Sequence, residues 1–499
     1  MGARYTARQT AYTADCDRRI SVIATKDGHS MESGTLHGFF TVLEYDRREN
    51  LNVEWLESCI SQALERDDVL RKEFLTTILI NGLPSLPSAK GDFATDVRSL
   101  LTAYETKYLE LHCEAQDIAP GPYARKTGSI WQVHRLYNDT HGAFLLPVKQ
   151  VEGRRFEAAN DSVHEWDNCA VAVPSRLTVS KSSTKPLSGW RVALKDAFDL
   201  EGVRTSMCNR AYLQLYPPAS CSADAVATIV DKGALVLGKT KLSMFLSREE
   251  PSESVDYQTA WNPRGDGYQG PGGSSSGSAA VVAAYDWIDI GIANGSIRRP
   301  GQCNGVFGLR PSRDAVPSKG MFTIFDHFDV PGIFARDFRK LSHFAFEWYA
   351  DVLRKRETNN LHHSVVLITD SLPGDTASQT QLVTEFARDL ATFLKVEVRP
   401  VSMTALWEQT TPTAANGKSL HNYLREVGAN TFLYLNYHAA AGFRDQYYEE
   451  YGRKPFISPF VEWRWSIGKK YGPEDYADGM ERMRVYGEWF LRRFSKLEV

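Results

Sequence analysis

The sequence predicts an α/β protein with a small N-terminal α+β module, and three observations predict it. First, residues 222–232 (SADAVATIVDK) begin with a serine suited to an N-cap, carry Asp224 in the first turn and run into Gly233. The apolar stretch 234–237 follows at once, and a helix feeding directly into a short apolar strand indicates α/β layering. Second, residues 364–369 (SVVLIT) read as a buried strand ahead of a helix over 380–394, where Leu382, Val383, Phe386, Leu390 and Phe393 share one face. Third, the first ~165 residues have the size of a separate module.

Composition narrows the function classes. The chain has 499 residues, enough for two or three domains, and its hydrophobic content of 42% fits an ordinary globular protein. A formal net charge of −3 without polybasic runs argues against a nucleic-acid or membrane-surface partner. Seven cysteines (Cys16, Cys59, Cys113, Cys169, Cys208, Cys221 and Cys303) form no Cys-x-x-Cys pair, so a disulfide scaffold or a cysteine-rich metal site is not expected. Residues 1–21 lack the apolar core of a secretory signal, and no apolar run reaches the ~18 to 20 residues that span a bilayer. A cytoplasmic location is the expectation.

Within the N-terminal module, residues 53–70 carry Trp55, Cys59, Ile60 and Leu64 at helical spacing, and a second helix is expected over 96–111. Residues 131–148 read as two strands around a turn at Asn138-Asp139. The polar, proline-containing stretch 178–188 is a linker or exposed loop. The domain boundary is placed at 165/166. Beyond the linker, residues 190–194 form an apolar strand ending on Lys195-Asp196.

The stretch that carries chemistry is 271–312 (PGGSSSGSAAVVAAYDWIDIGIANGSIRRPGQCNGVFGLRPS). Gly/Ser clusters usually mean linkers. This one leads straight into the small apolar run 278–284, which suits a closely packed buried helix, and a second Gly-Ser turn follows at Gly295-Ser296. Two serines on glycine-permitted turns either side of one buried element can converge in space. A nucleophilic serine needs a sharp turn, amides aimed at the developing oxyanion, and a base. That base can be a lysine kept neutral by burial. None of the twelve histidines sits in a motif that recommends it; His327 and His438 are the best outsiders.

This stretch resembles the amidase signature family. The resemblance rests on Gly272-Gly273-Ser274-Ser275 and Gly295-Ser296-Ile297-Arg298, and continues through Cys303–Ser312 and Pro331–Asp337. Upstream, Val192-Ala193-Leu194-Lys195-Asp196 and the stretch 233–241 (GALVLGKTK) look like two further family blocks. Residues 120–144 and 262–268 are similar to fungal amidase-like proteins that carry a scytalone-dehydratase-like module ahead of the amidase domain. The fold this implies is a mixed central β-sheet covered by helices.

The implied mechanism makes Ser296 the acyl nucleophile, Ser274 (held by a cis peptide bond in the family) the proton shuttle, and Lys195 the base. Backbone amides of Ala293, Asn294, Gly295 and Ser296 would form the oxyanion hole, with Ser275 and Arg298 supporting the loop. No metal or organic cofactor is implied. The implied partner is a small-molecule amide substrate, and a homo-oligomer is compatible with the sequence. Two departures stand out. The spacing from Ser274 to Ser296 is shorter than the family's usual one. The family's loop aspartate has no counterpart, Asp289 being the nearest, so Arg298 is expected to lack its usual partner. Against this resemblance the part after residue 458 reads as shortened, with one charged helix expected over 473–494. Three readings follow: an amide hydrolase acting through an acyl-serine, an amidase-like scaffold that binds without turnover, and a glutaminase-type component of an amidotransferase.

Overall fold

The computed structural model describes residues 3–7, 10–15, 38–45, 51–84, 92–112, 118–126, 129–159, 170–179, 182–349, 364–374 and 377–494. It divides into two compact units, residues 1–350 with 453–458, and residues 351–452 with 459–499. Among the described residues, no helix is long and apolar enough to cross a membrane. Cys59, Cys208, Cys221 and Cys303 carry free thiols, whereas Cys16, Cys113 and Cys169 lie outside the described residues.

The first unit opens with β1 (Ala3–Ala7), β2 (Thr10–Asp15), β3 (Gly38–Glu44), β4 (Thr77–Asn81), β5 (Tyr108–Leu111), β6 (Gly121–Lys126) and β7 (Ser129–Asn138). Next come β8 (Phe144–Glu152), β9 (Arg155–Ala158) and β10 (Ala170–Pro174). Strands β1 to β7 lie in the order β1-β2-β7-β6-β3-β4-β5, with β10 also on β7. Helix α1 (Val53–Arg66) buries Trp55, Leu56, Ile60 and Ala63. It is capped by Asn52, whose Oδ1 accepts from Trp55 N at 2.8 Å. The helix expected to reach residue 70 stops earlier because Asp67 Oδ2 takes the Leu70 amide at 3.0 Å while Asp67 Oδ1 takes that of Arg176 at 3.0 Å. The second expected helix is corrected likewise. Helix α2 (Asp92–Ala103) ends before Glu105, which sits at φ 57°, and residues 108–111 become β5 on β4.

The turn at Asn138-Asp139 does not close a hairpin. Asp139 accepts the amides of Ala143 at 3.0 Å and Phe144 at 2.7 Å, and the Tyr285 hydroxyl at 2.6 Å. Held this way, the chain leaves the first sheet, and β8 pairs antiparallel with a strand of a second sheet, β12 (Leu235–Thr240). The boundary expected at 165/166 itself lies outside the described residues. Residues 144–158, expected in the N-terminal module, belong to the second sheet.

That sheet also contains β11 (Arg191–Lys195), β13 (Ile290–Asn294), β14 (Phe307–Leu309) and β15 (Pro331–Ala335). Its order is β14-β15-β13-β11-β12-β8-β9. Strand β11 runs parallel to β12 and β13, while β15 and β8 run antiparallel to their neighbours, so the sheet is mixed. Around it lie α3 (Arg210–Leu215), α4 (Asp224–Asp231), α5 (Ser276–Ala284), α6 (Arg298–Asn304) and α7 (Phe338–Trp348). The α/β class therefore holds. The N-cap expected at Ser222 does not form: α4 begins after Ala223, and Ser222 Oγ instead accepts the Glu201 amide at 3.0 Å.

The two sheets of this unit meet across an ionic seam. Arg191, wholly buried, pairs with Asp68 at 2.6 Å, lies 3.5 Å from Asp67 and donates to the Pro174 carbonyl at 2.7 Å.

In the second unit, β16 (Ser364–Ile368) and β17 (Glu397–Val401) form a two-stranded parallel sheet, joined by α8 (Ser378–Leu394). Among its described residues are also helices α9 (Met403–Thr410), α10 (Leu420–Leu424), α11 (Tyr434–Ala439), α12 (Ala441–Tyr451), α13 (Pro459–Gly468) and α14 (Pro473–Phe494). Its core centres on Trp407, with Tyr423, Val485 and Trp489 around it. Two expectations fail here. The strand expected to be buried is only half-buried, and on α8 Leu382, Phe386 and Phe393 are 61%, 67% and 81% exposed. A sheet of two strands offers a narrow strip, and α8 seats on it through Thr380, Ala387 and Ala391.

Candidate functional site

Strands β11 and β13 are neighbours and parallel, so their carboxyl ends open on the same edge of the sheet, where α/β folds place their sites. Lys195 is the last residue of β11, and Ser296 lies two residues past the end of β13. Helix α5 begins just after Ser274 and Ser275 and is buried along residues 276–283. Its small side chains let it approach β13 closely, and Ser278 Oγ shares a hydrogen bond with Thr240 Oγ1 at 2.7 Å while donating to Ile292 O at 2.9 Å. The run of small residues thus sets one serine-bearing turn beside the other.

The result is a chain of contacts. Lys195 Nζ is 2.8 Å from Ser274 Oγ, and Ser274 Oγ is 3.1 Å from Ser296 Oγ. Lys195 Nζ also donates to Ser275 Oγ at 2.9 Å and reaches Asn294 O at 3.4 Å. The Gly273–Ser274 peptide bond is cis. Gly295 sits at φ 56°, a conformation that favours glycine and lets the chain turn sharply into Ser296.

Burial governs the electrostatics. Lys195 is completely enclosed, and loss of hydration brings its amine down to about 7, against the opposing pull of the Asp329 carboxylate. Burial also pushes the Asp329 carboxyl above its ordinary range, opposed by the amides of Phe325 and Ile324 and then by Lys195 and Arg310. Asp196, adjacent to Lys195 in sequence, serves elsewhere. It pairs with buried Lys239 at 2.9 Å and accepts from the Ser206 amide at 2.9 Å.

The amides implied for the oxyanion are not assembled in this way. Gly295 N donates to Val330 O at 3.0 Å and Ser296 N to Asn294 O at 2.6 Å, while Ala293 and Asn294 lie within β13 against β15. Asp289 does not replace the missing loop aspartate. Its carboxylate is taken by Arg176, by Lys340 at 2.6 Å and by the Arg191 amide at 3.0 Å, and Arg298 stands exposed. His327 is exposed beside Asp326 at 3.0 Å, and His438 packs on Tyr434 in the second unit.

Asp329 is the residue that sequence reading missed. Its only signal is its place two residues before the block starting at Pro331. A further unanticipated link is Asn294, whose Nδ2 donates to Phe322 O at 3.1 Å. Phe322 belongs to an aromatic group with Tyr212 and Phe245, at ring distances of 6.4 and 6.1 Å.

A family model described as Amidase matches residues 156–370. Amidase 1 of Arabidopsis thaliana is 35% identical over 202 residues, covering 39% of this chain and 46% of that one. A glutamyl-tRNA(Gln) amidotransferase component from Dehalococcoides mccartyi is 34% identical over 163 residues, covering 32% of each. The chain spans less than half the length of these relatives. A solved amidase aligns with a TM-score of 0.47 at 24% identity, covering 60% of this chain and 63% of that one. Kluyveromyces lactis allophanate hydrolase aligns with a TM-score of 0.48 at 19% identity, covering 62% of this chain and 50% of that one. The residues matched by the family model include Lys195, Ser274, Ser296 and Asp329, so the similarity to amidases falls on the segment that holds the site.

Proposed function

We propose that this chain is an amide hydrolase that forms an acyl-Ser296 intermediate on a small carboxamide. The observation that carries this reading is the buried, near-neutral amine of Lys195, linked to Ser296 Oγ through Ser274 Oγ by contacts of 2.8 and 3.1 Å. Ser296 Oγ attacks the carbonyl carbon. Its proton moves to Ser274 Oγ, and the Ser274 proton moves to Lys195 Nζ. The resulting ammonium returns a proton through Ser274 to the departing nitrogen, and the C–N bond breaks. Water then attacks the ester while the same relay takes its proton; the bond from the acyl carbon to Ser296 Oγ breaks, the relay returns the proton to Ser296 Oγ, and a carboxylic acid leaves. Stabilising the oxyanion requires the Gly295 and Ser296 amides to exchange their backbone partners for the substrate oxygen. The aromatic group of Tyr212, Phe245 and Phe322, tied to Asn294, favours an apolar or aromatic acyl portion. The preserved relay distances weigh against the scaffold reading.

Incubating the protein with small aliphatic and aromatic carboxamides plus hydroxylamine tests this. Hydroxamate should form, and Ser296→Ala should abolish it; folded protein that yields neither hydroxamate nor acid overturns the proposal. The amidotransferase relatives favour one second reading, a glutaminase role. Ammonia release from glutamine that depends on a co-purified partner would select it.

A further inference from the structure

The segment 322–330 touches the Lys195–Ser296 site at both ends. At its start, Phe322 N donates to Ala197 O at 2.7 Å, two residues past Lys195, and Phe322 O accepts from Asn294 Nδ2 at 3.1 Å. At its close, Val330 O accepts the Gly295 amide at 3.0 Å. Between these points the segment folds back on itself, with Phe328 N and Asp329 N donating to Phe325 O at 2.9 and 2.8 Å. The Asp329 side chain locks this fold. Its Oδ2 accepts the amides of Ile324 at 2.7 Å and Phe325 at 3.0 Å. Its Oδ1 lies only 2.5 Å from where a Cβ on Gly295 would stand.

We infer that Asp329 is a positioning residue that seats the Gly295–Ser296 turn by bracing the 322–330 segment against it. The inference rests on the proposed role of Ser296. It supplies the loop carboxylate that Asp289, engaged by Arg176 and Lys340, does not provide. The contact requires glycine at 295 twice over: once for the backbone angle, once for the space the carboxylate fills. The charged and titratable groups that act on Asp329 are Lys195 and Arg310, and Lys195 is acted on by Asp329 and Cys208. The bracing carboxylate therefore also sits in the field of the base.

The test is the rate and pH dependence of labelling by a fluorophosphonate probe in wild type, Asp329→Ala, Asp329→Asn and Ser296→Ala. Asp329→Ala frees two buried amides and should label at least ~10-fold more slowly, given the sensitivity of catalytic turns to displacements of about 1 Å. Asp329→Asn keeps an acceptor for both amides and should label within about threefold of wild type. Because it removes a carboxylate that holds the Lys195 amine up, the acid limb of its labelling should move to lower pH. A merely structural aspartate would leave that limb in place. If Asp329→Ala does not fold, the limb of Asp329→Asn decides. A folded Asp329→Asn with an unmoved limb, beside wild type that labels and Ser296→Ala that does not, overturns this inference and leaves the function standing. Wild type that does not label overturns both.

Discussion

Gly291 on β13 lies so close to Ser278 on α5 that a Cβ on it would meet the Ser278 carbonyl oxygen at 2.2 Å. This approach holds the strand that leads to Ser296 against the helix that follows Ser274. Gly291→Ala must push the two apart. Overpacking of this kind costs about 1–3 kcal/mol, so the midpoint of chemical denaturation should fall accordingly. Labelling of Ser296 in the folded fraction should fall as well. A variant with unchanged midpoint and labelling rate would contradict the close approach.

In the proposed relay the Lys195 amine can act as a base only when neutral, and burial brings that amine down to about 7. The rate of probe labelling or amide turnover should therefore climb with pH below that value, about tenfold per unit, and level off above it. A profile that is flat from about pH 5 to 9 would remove lysine as the base.

The same burial has a consequence for stability. In the unfolded chain the lysine keeps its proton up to about 10.4, while in the folded chain it loses it at about 7. Between these values the unfolded state binds the extra proton, so the lysine contribution to stability rises with pH. Lys195→Met should remove that rise and stabilise the protein at neutral pH while abolishing labelling. Comparing urea midpoints of the two proteins at about pH 7 and 9 measures it.

Arg191 joins the two sheets of the first unit, being wholly buried between Asp68 and the Pro174 carbonyl. Replacing it by methionine leaves Asp67, itself buried, without its nearest cation. Removing one partner of a buried pair costs about 3–5 kcal/mol, and the partial exposure of Asp68 points to the lower end. Denaturation of Arg191→Met should show a loss of about 3 kcal/mol. A loss below about 0.5 kcal/mol would mean that the seam contributes little.

Local chemistry was legible in the sequence wherever short-range rules decide the outcome. The small-residue run 278–284 predicted a closely packed helix, and α5 is buried along almost its whole length. The separation of Ser274 and Ser296 by that one element made their proximity readable. What depends on distant partners was not legible. Asp139 diverts the chain between sheets by capturing Ala143, Phe144 and Tyr285, and nothing at Asn138-Asp139 itself distinguishes this from a hairpin turn. The apolar positions of α8 promise a buried face, yet a two-stranded sheet leaves Phe386 and Phe393 exposed. Asp329 joins the site through the fold of its own loop, and its place two residues before Pro331 does not by itself announce that fold.

The most direct measurement is mass-spectrometric mapping of the residue modified when the folded protein is treated with a fluorophosphonate at about pH 8, above the titration of Lys195. One adduct is expected, on Ser296, absent in Ser296→Ala and at least ~100-fold slower to form in Lys195→Ala. An adduct on another residue, or an unmodified Ser296 in protein that keeps its native fold, would contradict the relay.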